Sequence, residues 1–284
     1  MNILITGAKG FVGNSLTKLL KSESFIVNEI SDSKTHNLCD WEVVANIPKS
    51  DVIIHLAGKS FVPNSFKEPL SFYNNNISST LNILEKARID DSRVIFFSTY
   101  VYGRPEYLPI DEKHKSSPLN PYTQSKLVCE QLCEAYNRDF GVPITIFRPF
   151  NIYGPGQNLS FFIPTIIKQL SNEFIYLNDS RPKRDFIYID DVISAIHQCI
   201  IHENLNDSFQ VYNLGTGIST SIKEVVELIV EISKSKSKVI FSNKVRKGEI
   251  LETTADINKI KRELNWNSKT SIKEGMKKTI NSSV

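Results

Sequence analysis

The stretch Met1-Asn-Ile-Leu-Ile-Thr-Gly-Ala-Lys-Gly-Phe-Val-Gly13 decides the fold of this chain. The apolar run Asn2–Thr6 predicts a short buried strand, and a helical pattern continues through Val12, Leu16 and Leu20. A strand that turns sharply into a helix uses glycine for its backbone angles and for close approach of a ligand. The start of the helix adds amide groups and a positive dipole end, which suit phosphates. The stretch therefore predicts a site for the pyrophosphate of a dinucleotide.

Strands and helices alternate along the first half of the chain. Apolar runs predict four further strands, and helical periodicity predicts two long helices. The strands are expected at Phe25–Ile30, Val52–Leu56, Val94–Ser98 and Ile144–Phe147, and the helices over 71–88 and about 121–139. Runs that are apolar throughout are typical of a parallel sheet covered on both faces. The order predicts an α/β fold with a Rossmann-type, doubly wound parallel sheet.

The second half of the chain is less regular and indicates a second, smaller domain. No clean linker separates the halves, so we expect the two domains to be interleaved. We predict a dinucleotide-binding domain over 1–149 with returning segments at about 185–217. The substrate domain is expected over 150–184 and 218–284.

Composition limits the location and the partners of the chain. Its 284 residues carry a net charge of +3, so no overall field attracts nucleic acid. No apolar run approaches the ~20 residues of a membrane-spanning helix, and no export signal is visible. Four cysteines are too few for a disulfide scaffold, and Cys129 and Cys133 have no further metal ligands nearby in sequence. We expect a reduced, cytoplasmic protein with no metal site and no nucleic-acid or membrane partner.

Tyr122 and Lys126 are the strongest candidates for chemistry. They stand four residues apart at the start of a predicted helix, which places both side chains on one face. An ammonium beside a phenol favours the phenolate and lowers the pKa of the phenol, so the pair can exchange a proton with a substrate hydroxyl. Ser98 ends the fourth predicted strand, and ligands of open α/β sheets bind at such strand ends. The other strand ends carry Gly7, Ala57, Gly58 and Asn151.

The segment after the second predicted strand leaves the choice between NAD and NADP open. An acidic residue here bonds the adenosine ribose hydroxyls of NAD, and Asp32 stands at a suitable position. Ser31, Ser33 and Lys34 would instead suit the additional phosphate of NADP.

Taken as a set, these residues resemble the extended short-chain dehydrogenase/reductase family, specifically its nucleotide-sugar epimerases, dehydratases and reductases. The matching stretches run in the order of the family over nearly the whole chain. They are Thr6–Gly13, His55–Gly58, Ser98 with Val101–Gly103, Tyr122-x-x-x-Lys126, Arg148–Pro155, Arg184–Val192, Tyr212–Gly217 and Ala255-Asp256.

The resemblance implies a role for each candidate residue. Tyr122 is expected to be the acid/base, Lys126 to hold the nicotinamide ribose, and Ser98 to bond the reacting oxygen. The cofactor, NAD or NADP, is expected to contact Tyr122, Lys126, Gly7, Gly10, Phe11, Val12, Gly13, Ser31, Asp32, Asn37, Leu38, Leu56, Ala57 and Gly58. The nucleotide-sugar substrate is expected to contact Ser98, Thr99, Asn151, Arg184 and Arg246. Helices over 71–88 and 121–139 resemble those that pair in homodimers of the family.

Departures from the family narrow the reaction. Its dehydratases carry an Asp-Glu pair where this chain has Thr99-Tyr100, and its epimerase-reductases of the GDP-fucose type carry a cysteine where Tyr100 stands. What remains is hydride transfer at C4 of a hexose, by a 4-epimerase or a 4-keto reductase. The compact segment between Ser31 and Leu38 resembles the reductases and favours that reaction. The alternatives are a 4,6-dehydratase, which the missing acidic pair disfavours, and a non-catalytic NAD(P)-binding sensor. A role in polysaccharide biosynthesis follows by family analogy.

Overall fold

The structure is a computed structural model, and it describes residues 1–31, 36–202, 209–245 and 248–282. Its strands are β1 (Asn2–Thr6), β2 (Ile26–Ile30), β3 (Val52–His55), β4 (Arg93–Phe97), β5 (Ile144–Pro149), β6 (Asn151–Tyr153), β7 (Phe174–Leu177), β8 (Lys183–Tyr188), β9 (Phe209–Leu214), β10 (Ser219–Ser221) and β11 (Lys238–Phe241). Its helices are α1 (Phe11–Ser22), α2 (Trp41–Ala45), α3 (Val62–Lys67), α4 (Pro69–Asp90), α5 (Pro121–Phe140), α6 (Phe162–Gln169), α7 (Ile189–Ile201), α8 (Ile222–Ser233), α9 (Asn258–Leu264) and α10 (Ile272–Asn281).

Contacts along the chain divide it into two compact units. The first unit consists of Met1–Gly103, Lys115–Pro149 and Ile193–Tyr212. The second unit consists of Arg104–His114, Phe150–Val192 and Asn213–Val284. The predicted domain boundaries differ from these units mainly at 104–114 and 185–192, and as boundaries of folding domains they stay a prediction.

A parallel sheet lies at the centre of the first unit. Among the described residues its strand order is β2-β1-β3-β4-β5-β9. β1 pairs in parallel with both β2 and β3, and β4 pairs in parallel with both β3 and β5. The chain therefore changes direction across the sheet between β1 and β3, and in such sheets ligands bind outside the strand ends at this point. The predicted Rossmann-type, doubly wound parallel sheet is confirmed.

Burial on both faces explains why the strands show no alternation of polar and apolar residues. Every residue of β3, β4 and β5 is buried. Ile53, Phe96 and Ile146 of these strands pack in one cluster with Ile83 of α4 and Cys129 of α5. Because helices cover the sheet, a polar side chain in place of Ile53, Phe96 or Ile146 would lose its contact with water inside an apolar cluster.

The local sequence fixes where α5 begins, and this fixes the position of Tyr122. The Asn120 side chain accepts a hydrogen bond from the amide of Thr123 at 2.9 Å, and Pro121 occupies the first helical position. Both residues favour a helix start. The helix ends at Gly141, which has a φ of 71°. Tyr122 therefore lies in the first turn of α5.

The second unit contains two small sheets. β8 pairs antiparallel with β10 and parallel with β6, and β11 pairs in parallel with β7. The Asp185 carboxylate of β8 accepts hydrogen bonds from the amides of Thr216 and Gly217 at 2.8 and 2.9 Å. Burial nevertheless raises the pKa of Asp185, and these amide bonds only partly offset the rise. Asp185 thus fixes the loop between β9 and β10 to β8.

Candidate active site

The glycine turn joins β1 to α1 with very little free space. Gly7 has a φ of 73°, and a Cβ atom added to it would lie 2.8 Å from the amide nitrogen of Ala57. A Cβ atom at Gly13 would lie 2.2 Å from the carbonyl oxygen of Gly7. Side chains at these two positions would force the turn and α1 apart. The glycines are thus required by the close approach of backbone to backbone.

The start of α1 fits the pyrophosphate of a dinucleotide. Gly10 is the N-cap residue, and no side chain caps the helix. Phe11, Val12 and Gly13 follow in the first turn, where helices present amide groups that lack a partner within the helix. These amides and the helix dipole suit an anion, so the predicted residues 7 and 10–13 lie where a dinucleotide phosphate would bind.

The residues predicted along the cofactor flank this turn. Ala57 follows β3, and its amide donates to the Thr6 hydroxyl at 3.3 Å. A Cβ atom at Gly58 would lie 3.6 Å from the Lys126 ammonium, so the end of β3 and the start of α5 meet here. Leu56 precedes both residues in the chain. The structure thus brings Leu56, Ala57 and Gly58 close to the glycine turn and to Lys126.

The residues predicted near adenosine are only partly described. Ser31 follows β2 directly, while Asp32 lies outside the described residues. The Asn37 side chain accepts a hydrogen bond from the Cys39 amide at 3.2 Å. Leu38 is buried, and its carbonyl oxygen accepts from Asn82 at 2.9 Å. The sequence leaves the choice between NAD and NADP open, and these contacts do not change that.

Burial shifts the pKa of both Tyr122 and Lys126, and the expected effect of Lys126 on the phenol stays a prediction. Burial raises the pKa of the Tyr122 phenol, and a hydrogen bond from Thr99 partly offsets the rise. Burial lowers the pKa of Lys126. The Lys126 ammonium donates to the carbonyl oxygen of Phe97 at 2.7 Å and lies 4.6 Å from the centre of the Phe96 ring. The two side chains share a helix face, but the ammonium is held by the end of β4.

Ser98 belongs to a buried polar network that the sequence analysis did not include. Its hydroxyl donates to the Glu130 carboxylate. Arg148 Nε lies 3.1 and 3.0 Å from the two oxygens of that carboxylate, and Arg148 Nη1 donates to the Tyr102 hydroxyl at 3.0 Å. Burial acts to lower the pKa of Arg148, but its bonds to Glu130 raise it overall. The available signal was spacing, since Glu130 stands four residues after Lys126 on the same helix face.

Asn76 of α4 is a second residue that the sequence analysis missed. Its side-chain oxygen accepts from the Lys59 amide at 2.8 Å, and its side-chain nitrogen donates to the Ser125 hydroxyl at 2.9 Å. The same oxygen would lie 3.1 Å from a Cβ atom at Gly58. Asn76 thus ties the loop after β3 to the first turns of α5. The only signal in the sequence was an amide side chain in the middle of a predicted helix.

Tyr100 occupies the position where the resemblance places an acid in dehydratases and a thiol in epimerase-reductases. Its hydroxyl donates to the carbonyl oxygen of Gly103 at 2.6 Å, and its ring packs edge-on against Tyr102 at 5.5 Å. A phenol engaged in this way does not replace a carboxylate as a proton carrier. Thr99 beside it is half-buried and carries a hydroxyl, not an acid.

Three of the residues predicted to contact the substrate follow β5 in the chain and belong to the second unit. The Asn151 side chain donates to the carbonyl oxygen of Asp185 at 3.4 Å. Arg184 pairs with Glu249 and donates to the carbonyl oxygen of Ile250 at 2.8 Å. Arg246 lies outside the described residues. Substrate contact by Asn151, Arg184 and Arg246 stays a prediction.

Other polar candidates belong to the core of the first unit. His55 is 1% exposed and bonds the hydroxyls of Thr6 and Thr80 at 2.7 and 3.2 Å. Burial and the nearby Lys126 charge lower the pKa of His55 to about 3. In the described part of the chain, no group of three or more His, Cys, Asp and Glu side chains could hold a metal ion. None of the described helices is both long and apolar enough to cross a membrane.

The sequence profile of the family described as "NAD dependent epimerase/dehydratase family" matches residues 3–215. The chain belongs to this family. It is 32% identical to a putative UDP-glucose 4-epimerase of Methanocaldococcus jannaschii, over 98% of this chain and 97% of that protein. It is 31% identical to the GDP-6-deoxy-D-mannose reductase of Pseudomonas aeruginosa, over 84% of this chain and 82% of that protein.

A solved structure extends the likeness to the whole chain. The UDP-glucose 4-epimerase of Thermotoga maritima, solved with UDP-glucose, matches with a TM-score of 0.91 at 28% identity. The match covers 100% of this chain and 98% of that one. The family and fold predicted from the sequence are thus confirmed. NAD(P) as the cofactor class of the family is confirmed by the family description and by related structures solved with NADPH or NAD. Family members include nucleotide-sugar epimerases and reductases, so the chain is an enzyme by family.

Proposed function

We propose that the protein is an NAD(P)-dependent nucleotide-sugar oxidoreductase acting at C4 of a hexose, with 4-epimerisation as its net reaction. The observation that carries the proposal is the position of Lys126, one helical turn after Tyr122: its ammonium donates to the carbonyl oxygen of Phe97 at the end of β4 and lies next to Gly58 after β3. This arrangement provides a proton-exchanging phenol at the strand ends where the cofactor class of the family binds. Full-length similarity to two 4-epimerases supports the choice of reaction.

The side chains divide the work between proton transfer and binding. The phenolate of Tyr122 takes the proton of the C4 hydroxyl as the C4 ketone forms, and the phenol returns it when the ketone is reduced. Lys126 lies next to Gly58 and would hold the ribose of the cofactor. Residues 7 and 10–13 would hold its pyrophosphate. When bound, the nicotinamide supplies the hydride acceptor in one direction and the hydride donor in the other.

The surroundings of Tyr122 support hydride chemistry without elimination of water. Elimination of water needs an acid and a base next to the sugar, in addition to the group that serves the hydride step. Positions 99 and 100 carry a hydroxyl and a phenol, and the phenol donates to the carbonyl oxygen of Gly103. Neither group is acidic or basic near neutral pH. A 4,6-dehydratase is therefore disfavoured.

A 4-keto reductase is the second candidate function. It is favoured by the similarity to GDP-6-deoxy-D-mannose reductase and by the compact segment between Ser31 and Leu38. The Tyr122 phenol would then donate its proton to the ketone oxygen once per turnover. Homodimerisation through α4 and α5 and a cytoplasmic location belong to the same proposal.

Tyr122→Phe tests the proposed acid/base. We expect loss of at least 100-fold in turnover with a panel of nucleotide sugars, because general acid/base catalysis contributes about 10²–10⁴ in rate. NAD(P)H binding should stay within twofold. The matched control is Tyr136→Phe, since Tyr136 lies at the far end of the same helix and bonds Glu85. Full turnover by the Tyr122→Phe variant would exclude the proposed mechanism.

Absorbance of the reduced cofactor separates the candidate functions. An epimerase interconverts two sugars with no net change in NAD(P)H, which a coupled assay or mass spectrometry detects. A 4-keto reductase consumes one NAD(P)H per sugar. Tight NAD(P) binding with no turnover of any nucleotide sugar would favour the non-catalytic sensor.

A further inference from the structure

His55 bonds a hydroxyl on each side, and the number of hydrogens shows in which direction each bond runs. The Thr80 hydroxyl donates to the carbonyl oxygen of Asn76 at 2.7 Å, so its one hydrogen is used. His55 Nε2, at 3.2 Å from the Thr80 oxygen, can therefore only donate to it. Burial and the nearby Lys126 charge lower the pKa of His55 to about 3, so the imidazole is neutral at pH 7. A neutral imidazole carries one hydrogen, so Nδ1 accepts from the Thr6 hydroxyl at 2.7 Å.

Thr6 continues this chain of hydrogen bonds to the residues after β3. Its hydroxyl oxygen accepts from the amide of Ala57 at 3.3 Å, and its carbonyl oxygen accepts from the amide of Leu56 at 3.2 Å. Thr6 is fully buried and immediately precedes Gly7, where a Cβ atom would lie 2.8 Å from the Ala57 amide nitrogen. The ends of β1 and β3 are therefore held side by side at the glycine turn.

Asn76 continues the chain of hydrogen bonds on the other side of Gly58. Its side-chain oxygen accepts from the Lys59 amide at 2.8 Å, and its side-chain nitrogen donates to the Lys59 carbonyl oxygen at 3.1 Å. A Cβ atom at Gly58 would lie 3.1 Å from the Asn76 oxygen and 3.6 Å from the Lys126 ammonium. The bonds thus form a closed network around Gly58, the His55 network. Its members are Ala57, Thr6, His55, Thr80, Asn76 and Lys59.

We propose that His55, in the tautomer with its hydrogen on Nε2, is a positioning residue for the cofactor. It joins β1 to α4 and thereby fixes Gly58 and its two neighbours beside the glycine turn and Lys126. Because this segment is held in place before the dinucleotide binds, binding does not have to order it. The proposal rests on the proposed function in one respect, namely that NAD(P) binds along the glycine turn, Gly58 and Lys126.

Nitrogen NMR of the imidazole groups at pH 7 tests the tautomer directly. A long-range proton–nitrogen correlation spectrum distinguishes a ring nitrogen that carries a hydrogen from one that does not. The signal that is absent from His55→Gln identifies this residue among the five histidines. We expect a hydrogen on Nε2 and none on Nδ1. A hydrogen on Nδ1, or on both nitrogens, would overturn the assignment.

The effect on the cofactor site is measured with Thr6→Val and Thr80→Val, which keep the shape of the side chain and remove the hydroxyl on either side of His55. We expect each variant to bind NAD(P)H about five- to tenfold more weakly in a fluorescence titration, because each removes a hydrogen bond that holds the network together. Thr6→Ser keeps the hydroxyl and should bind within about twofold of the unmodified protein. So should the matched control Thr17→Val, because the buried Thr17 hydroxyl has no hydrogen-bond partner among the residues that the structure describes.

The double variant distinguishes one connected network from two independent effects. Because Thr6 and Thr80 act through the same histidine, Thr6→Val combined with Thr80→Val should bind little more weakly than either single variant. Losses that multiply, or single variants that bind NAD(P)H as the control does, would overturn the proposal. Circular dichroism and melting temperatures verify that the compared proteins are folded. Failure of the proposed function appears separately, as full turnover by Tyr122→Phe in a protein whose NAD(P)H binding still responds to Thr6→Val.

Discussion

Removal of Arg148 should destabilise the protein strongly, because it leaves the Glu130 carboxylate buried without a counter-charge. We choose Arg148→Met, which keeps an unbranched apolar side chain in the space of the guanidinium. Arg148 donates to both Glu130 oxygens and to the Tyr102 hydroxyl, and its guanidinium lies 4.9 Å from the centre of the Tyr102 ring. All of these interactions are lost together.

The structure sets the size of the effect. The two charged side chains are 10% and 5% exposed, so water cannot replace the missing partner. Breaking a buried ion pair in this way costs about 3–5 kcal/mol of the free energy of unfolding. For a chain of this length, roughly 2 °C in melting temperature corresponds to 1 kcal/mol. We therefore expect the melting temperature to fall by about 6–10 °C.

Urea unfolding and calorimetry at pH 7 measure this loss. The matched control is Arg138→Met, because Arg138 pairs with Asp139 on the surface with 68% and 46% of the side chains exposed. An exposed pair contributes about 0–1 kcal/mol, so this variant should unfold close to the unmodified protein. The double variant Glu130→Gln with Arg148→Met removes both charges and should recover about half of the loss. Equal losses for Arg148→Met and Arg138→Met would refute this reasoning, because the two variants differ in whether the carboxylate left without its partner is buried or exposed.

Two further predictions concern the glycine turn and the core. Gly13→Ala should weaken NAD(P)H binding at least tenfold in a fluorescence titration, because the new Cβ atom would lie 2.2 Å from the Gly7 carbonyl oxygen. The control is Asn14→Ala at the exposed neighbouring position, and this variant should bind NAD(P)H normally. His55 has its pKa lowered to about 3 by burial and the Lys126 charge, so the unfolded chain takes up its proton first as pH falls. The neutral, buried His55 contributes fully to the free energy of unfolding above about pH 6.5. Between about pH 6.5 and about pH 3 this contribution falls by about 1.4 kcal/mol per pH unit. Urea unfolding across this range should show a shallower dependence of stability on pH for His55→Gln than for the unmodified protein.

The sequence was sufficient to predict the sheet of the first unit. β3, β4 and β5 are buried throughout and carry mainly apolar residues, a pattern that arises where helices cover both faces of a sheet. The predicted helix over 71–88 is observed as Pro69–Asp90, and that over 121–139 as Pro121–Phe140. The short strands β6 and β10, with three residues each, could not be predicted, since so few residues show no periodicity.

The candidate site was predictable where it depends on backbone geometry or spacing. The glycine turn and the positions of Tyr122 and Lys126 follow from local sequence. The partners of Ser98 and Lys126 do not, because they depend on which tertiary neighbours are nearest once the chain is folded. Glu130 was overlooked for a related reason, since an acidic residue on a helix is usually exposed. Asp32 and Arg246 lie outside the described residues, and their roles stay predictions.

Stability alone does not account for a buried ion pair beside β4. Well-packed apolar side chains of similar volume are often as stabilising as a buried pair, so the Arg148–Glu130 pair has another use. Its remaining acceptor capacity is directed at the Ser98 hydroxyl. Because a carboxylate only accepts hydrogen bonds, Glu130 fixes the direction in which the Ser98 hydroxyl hydrogen points at the end of β4. The pair thus orients a side chain at the strand end where ligands of such sheets bind.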